Sequence, residues 1–159
     1  MNAAVVDTNV LIVANGRAGQ AKPSCVASCV EVLGVVQARG RVVLDDRMLI
    51  LSEYLRKASL AGQPGSGDAF LKWVWQNQAV SERCETVAVT PVNGSFAEFP
   101  KSPDLCGFHK NDRKFVAVAL ASKSRPEVLN AVDSHWWTFR DALKRHGVRI
   151  CFVCPEQFR

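Results

Sequence analysis

Four carboxylates in this chain fall in positions that should be partly buried, and together they could do metal chemistry. The stretch AAVVDTNVLIVAN sets Asp7, Thr8 and Asn9 between two apolar flanks, where a core would otherwise be filling. LNAVDS repeats the pattern, an apolar run ending in Asp133. Glu53 follows Leu49 and Ile50 by one helical turn, which turns its carboxylate toward the inward face. Asp112 precedes Phe115, Val116 and Ala119, the apolar stripe of a helix it would open. Taken singly, each acid has an ordinary explanation. Asp7 and Asp133 suit turns, Glu53 an ion pair with Arg56 or Lys57, and Asp112 the positive end of a helix dipole. Brought to one spot, the four would repel unless a divalent cation joined them or one pKa rose. Hard cations such as Mg2+ and Mn2+ take oxygen ligands and need neither His nor Cys. Such a centre suits phosphodiester hydrolysis, with one ion or a pair roughly 4 Å apart activating a water and stabilising charge on the phosphorus centre.

The elements that must position these acids alternate. Strands are expected at 3–6, 41–44, 84–90, 128–132 and 148–154. Between them, helices are expected at 23–39, with Val26, Val30, Leu33 and Val36 as its apolar residues, and at 47–58, with Asp46 as N-cap. Further helices follow at 68–79, 111–123 and 136–147, the last stopped by Gly147. The run PVNGSFAEFPKSPDLCGFHK (91–110) reads as a long functional or mobile loop. Alternation predicts an α/β fold, a mostly parallel sheet with helices on both faces, in a single domain over 1–159. In such sheets ligands collect at the carboxyl ends of the strands, where Asp7 and Asp133 would emerge.

Composition narrows the classes. The chain has 159 residues, 48% hydrophobic and 22% charged, as ordinary soluble domains do, with a formal net charge of +5. Lys110, Arg113, Lys114, Lys123 and Arg125 face a single acid, Asp112, between positions 105 and 125. That excess fits a solvated helix face or a nucleic-acid groove equally well. No apolar run is long enough to span a membrane, and Asp7 interrupts what would otherwise be a leader, so a cytoplasmic protein is expected. Its six cysteines should then be mostly reduced, buried thiols. Cys25 and Cys29 lie one helical turn apart and Cys151 and Cys154 in a strand, without the matched second pair a zinc site usually shows.

VVDTNVLI resembles the opening of the PIN-domain family of metal-dependent ribonucleases. The family's order of acids continues in LSEYLRKA (Glu53), NDRKFVAVALA (Asp112) and LNAVDSHWW (Asp133), and HGVRICFVCPEQF is similar to its terminal strand and tail. The resemblance covers nearly the whole chain. It implies a three-layer α/β/α sandwich in which Asp7, Glu53, Asp112 and Asp133 hold Mg2+ or Mn2+ and position a water, with RNA as substrate. Thr8 or Asn9 would orient Asp7 or contact a water of the cation. Many family members carry another Asp two residues after the fourth acid; here that residue is His135, able to ligate weakly, to contact phosphate when protonated, or to pack beside Trp136 and Trp137.

Other classes fit less well. An aspartyl phosphatase needs a second acid at the position of Asn9, and DTNVL lacks the serines of an adhesion-type metal site. A PIN-like scaffold that binds without cleaving is the main alternative. Within the nuclease reading, the resemblance suggests the toxin of a bacterial toxin–antitoxin pair, with an antitoxin protein and a second copy of the chain as further partners. Trp73 and Trp75 face opposite ways on a helix, so one can be exposed, although core packing suits both. Asp45, Asp46 and Asp104 read as caps or turn residues, with Asp46 in reserve for the site.

Overall fold

The computed structural model describes residues 2–159. Five strands form one sheet: β1 (Ala3–Val6), β2 (Arg41–Asp45), β3 (Cys84–Val87), β6 (Glu127–Asn130) and β7 (Arg149–Phe152). Their order is β3-β2-β1-β6-β7 and every neighbouring pair is parallel. The central strand β1 is buried along its whole length, which is why AAVV is apolar without alternation. The numbering gap is filled by a small hairpin, β4 (Pro91–Val92) and β5 (Ser95–Phe96).

The helices are α1 (Thr8–Ala14), α2 (Pro23–Arg39), α3 (Leu49–Lys57), α4 (Ser66–Asn77), α5 (Arg113–Ala121), α6 (Ser134–Thr138) and α7 (Arg140–Arg145). Right-handed crossovers put the segments between β1 and β3 on one face of the sheet and those between β3 and β7 on the other. The fold is therefore the expected α/β/α sandwich around a parallel sheet. The direction of winding reverses between β1 and β6, so their carboxyl ends border a crevice at a topological switch point. Among the described residues, no helix is long and apolar enough to cross a membrane.

Several expectations need correction. The apolar residues after Asp7 form a helix that was not expected; Val10, Leu11 and Val13 are the buried side of α1, which periodicity over so short a run did not reveal. The buried stripe of α2 is Cys25, Cys29, Leu33 and Val36, while Val30 is exposed: the cysteines serve as small apolar residues facing inward. Met48, in the left-handed region, holds the N-cap position of α3, and Asp45, not Asp46, supplies the side-chain acceptor, taking the Leu49 and Ile50 N–H groups at 3.0 and 2.9 Å. Asp46 instead accepts the Val89 N–H at 3.2 Å, which removes it as a reserve site residue. The expected helix at 136–147 is two short helices, the first starting at Ser134 under an Asp133 cap. Trp73 packs half-buried against Phe70, but Trp75 is exposed rather than in the core.

The expected long loop contains a hairpin. Asn93 and Gly94 both take positive φ, 49° and 76°, the combination that suits a two-residue turn between right-twisted strands. The Asn-Gly pair was the available signal.

The cysteines also depart from expectation. Cys25 on α2 and Cys154, just beyond β7, are joined by a disulfide, their Cα atoms 5.4 Å apart. Cys29 remains a buried thiol, its Sγ 4.0 Å from that of Cys154. Cys84, Cys106 and Cys151 are free as well.

Glycine fixes the packing that carries α1. A Cβ on Gly67 would stand 2.2 Å from the Leu11 carbonyl oxygen, so α4 lies against α1 at a distance only glycine permits.

Candidate metal centre

Asp7 is the first residue past β1 and the N-cap of α1. Its backbone N–H donates to the Leu129 carbonyl at 3.0 Å, continuing the β1–β6 ladder, so the side chain has little freedom. One carboxylate oxygen accepts the Asn9 N–H at 3.2 Å and the other the Asn130 side-chain amide at 3.3 Å. From α3, the Tyr54 hydroxyl donates to the Val6 carbonyl, fixing the end of β1 from the other side.

Asp133 caps α6 just past β6, accepting the His135 N–H at 2.9 Å. Asn9 holds this strand end in place: its side-chain oxygen accepts the Ala131 N–H at 2.7 Å. Asp112 closes a short turn at the start of α5, and α5 begins at the same carboxyl edge because it runs against the strands. One carboxylate oxygen from each of Asp7, Asp112 and Asp133 lies within 4.8 Å of the others.

Glu53 stands apart from this trio. One of its oxygens accepts the Thr8 hydroxyl and the other the Lys114 ammonium at 2.8 Å. Its partner is therefore a cation on α5, neither Arg56 nor Lys57. Thr8 correspondingly orients Glu53 and not Asp7. Lys114 also donates to the Asn111 carbonyl at 2.6 Å and is buried.

The His135 ring pairs with His109, outside the acid cluster. Its Nε2 accepts the His109 backbone N–H at 2.9 Å, and its ring stacks on that of His109 at 3.5 Å. Burial, followed by His109, pulls its pKa below the ordinary value. With Nε2 engaged as an acceptor, the imidazole steadies the loop leading to Asp112. It does not join the acid cluster.

The electrostatics follow from the packing. Burial pushes the Asp7 carboxyl well above its usual range; Asp112, Asp133 and Glu53 push the same way, against the Asn9 N–H. Asp112 is pushed up to about 6, first by burial, then by Asp133 and Glu53, with Lys114 and His109 opposing. Carboxyl groups forced together in this way are those a cation would relieve.

The donor set fits a hard divalent cation. Ligand oxygens at roughly 2.0–2.6 Å from one ion stand at most about 4–5 Å apart across it, which matches the spread of the three carboxylates. Buried polar atoms without partners flank the same place, the Asn130 side-chain oxygen and the Asn9 amide nitrogen. The oxygen is an additional candidate donor.

Sequence reasoning missed two residues here. Asn130 is fully buried beside Val128 and Leu129, and that incongruity in VLNAV was a usable signal. Lys114 was counted only as part of a basic stretch; its pairing with Glu53 across 61 positions left no local trace. No family model, curated protein or solved structure matches this chain.

Proposed function

We propose that this chain is a divalent-cation-dependent ribonuclease of the PIN-domain type. The observation that carries the reading is the convergence of Asp7, Asp112 and Asp133 at the switch point of a parallel sheet. The resemblance of VVDTNVLI and of the order of acids to that family supports it from a separate direction.

The three aspartates would hold Mg2+ or Mn2+, with Asn130 beside them. Bound there, the cation supplies Lewis acidity toward a phosphodiester and its attacking water. The chain's own residues do the positioning. Asn9 and Asn130 set the geometry of Asp7 and the β6 end, and the His109–His135 stack steadies the approach to Asp112. Glu53 is held by Thr8 and Lys114 at the border of the crevice, where it would help orient the attacking water. Lys114 balances one of the four negative charges, so an incoming phosphate meets less repulsion.

In this reading the partner is RNA and the compartment the cytoplasm. A toxin role, with an antitoxin protein and a homodimer, is the biological setting we favour. The Glu53–Lys114 pair gives the scaffold reading its one specific support, because it occupies the fourth acid with a protein cation.

The test is incubation of purified protein with single-stranded and structured RNAs in Mn2+ or Mg2+, against EDTA and the variants Asp7→Asn and Asp112→Asn. Cleavage abolished by EDTA and by both variants is the expected result. Intact RNA throughout, with a folded protein that binds no metal in titration, would move the assignment to a scaffold.

A further inference from the structure

Beside the acid crevice lies a second concavity of about 530 Å3, within the 300–1,000 Å3 typical of small-ligand sites. Its walls are the start of α3, the β4–β5 hairpin and the turn that enters α5. Leu49, Val92 and Phe96 give it an apolar floor, and Lys110, Asn111 and Lys114 give it a polar wall. No carboxylate lines it. Lys114 borders both places, since its ammonium reaches Glu53, and Asn111 immediately precedes Asp112. The groove therefore adjoins the acid crevice through Lys114 and Asn111.

Two of its polar groups are uncommitted. Lys110 is exposed and forms no salt bridge among the described residues, and the Asn111 side chain has no hydrogen-bond partner there. Phe96 is half-buried, held at the hairpin's last position. The hairpin presents these groups as a fixed surface, because the Asn93-Gly94 turn sets the register of Pro91 opposite Phe96.

We infer that this groove binds one unpaired nucleotide of an RNA strand, the one adjoining the phosphate delivered to the acid crevice. The inference rests on the ribonuclease reading for its orientation, but its chemistry is its own. An aromatic face beside an apolar floor takes a nucleobase, whatever its identity, by stacking. Lys110 at the rim takes the neighbouring phosphate, and Asn111 can donate to and accept from a base edge. A base inside a duplex is stacked and paired, so only a single strand can offer one to the groove. The absence of any acid in the lining disfavours a basic peptide, and an acidic peptide would leave the aromatic floor unused.

The experiment is fluorescence anisotropy of a labelled single-stranded RNA octamer and of its duplex, in EDTA so that nothing is cleaved. Wild type, Phe96→Ala and Lys110→Glu are compared, each first shown to melt cooperatively. We expect wild type to prefer the single strand, Phe96→Ala to weaken it by about tenfold, and Lys110→Glu to weaken it and flatten its salt dependence by about one ion. Should Phe96→Ala misfold, Lys110→Glu decides alone. Unchanged single-strand affinity in the folded variants, or equal binding of the duplex, overturns the inference. Failure of the ribonuclease reading looks different: RNA would survive in Mn2+ while its binding still depended on Phe96 and Lys110.

Discussion

Replacing Asp112 by Asn should make the metal-free protein more stable at neutral pH while abolishing its response to metal. The Asp112 carboxyl titrates at about 6 in the folded chain against an ordinary 3.8. That difference corresponds to about 3 kcal/mol. With 16% of the side chain open to water, screening leaves about 2 kcal/mol. The sign is set by proton linkage. A folded state that holds the proton more tightly than the unfolded chain keeps the full contribution below pH 3.8 and loses it as pH rises through 6. Above that pH the metal-free fold carries a charge it disfavours, and asparagine does not. For a chain of this size, 2 kcal/mol is about 4–8 °C in Tm. In EDTA at pH 7.5, Asp112→Asn should therefore melt about 4–8 °C above wild type, and at pH 5 the gap should shrink.

Metal should reverse the order. A cation at a hundred times its Kd adds about 2.7 kcal/mol to the wild type, or about 5–10 °C, and little to a variant lacking one of three ligands. Differential scanning fluorimetry at both pH values, with EDTA or Mn2+, reads all four quantities. An Asp112→Asn protein that melts below wild type in EDTA at pH 7.5, or that gains as much from Mn2+, would refute the reasoning.

Two further outcomes follow from long-range pairs. Lys114→Met should cost about 2–3 kcal/mol by chemical denaturation, because Glu53 then keeps only the Thr8 hydroxyl; adding Glu53→Gln should restore most of it, and an additive double variant would disprove the coupling. Cys154→Ser should cost about 2–5 kcal/mol by opening the bridge to Cys25. Cys25→Ser should cost less under oxidising conditions, because Cys29 lies 4.0 Å from Cys154 and can replace its lost partner. Burial, then Glu156, push the Cys29 thiol up to about 12, so that bond should form slowly at neutral pH. Equal losses from the two variants in non-reducing melts would exclude the substitution.

The sheet and its helices could be read from the sequence because their signals are local. VVL, between Arg41 and Asp45, and ICFVC, between Arg149 and Pro155, are continuous apolar runs, and KFVAVALA carries the density of a buried helix. Strand ends followed by Asp located two acids, since a parallel sheet always presents its carboxyl edge to the crevice. What could not be read was the choice between neighbouring residues of like chemistry. Asp45 and Asp46 are equivalent as a DD pair, yet in the fold Asp45 accepts from the start of α3 and Asp46 from Val89. The Cys25–Cys29–Leu33 stripe loses to Val26–Val30–Leu33 on hydrophobicity and wins because Cys154 waits opposite it.

The same limit explains the site's internal division. Periodicity turned Glu53 inward but could not say toward what. Its charge needed a partner once buried, and from sequence Arg56 and Lys57 were the nearest. Both are exposed in the structure, while Lys114 comes from a helix on the other side of the chain's longest excursion. With a buried cation spent on the fourth acid, Asp7, Asp112 and Asp133 converge without a lysine or arginine ion pair among the described residues, and the proposed cation site rests on that convergence. The trio and the pair are thus two solutions to one problem of crowding. Burial has raised the Asp7 and Asp112 carboxyls, so in the proposed reading both ionise more readily with a cation beside them.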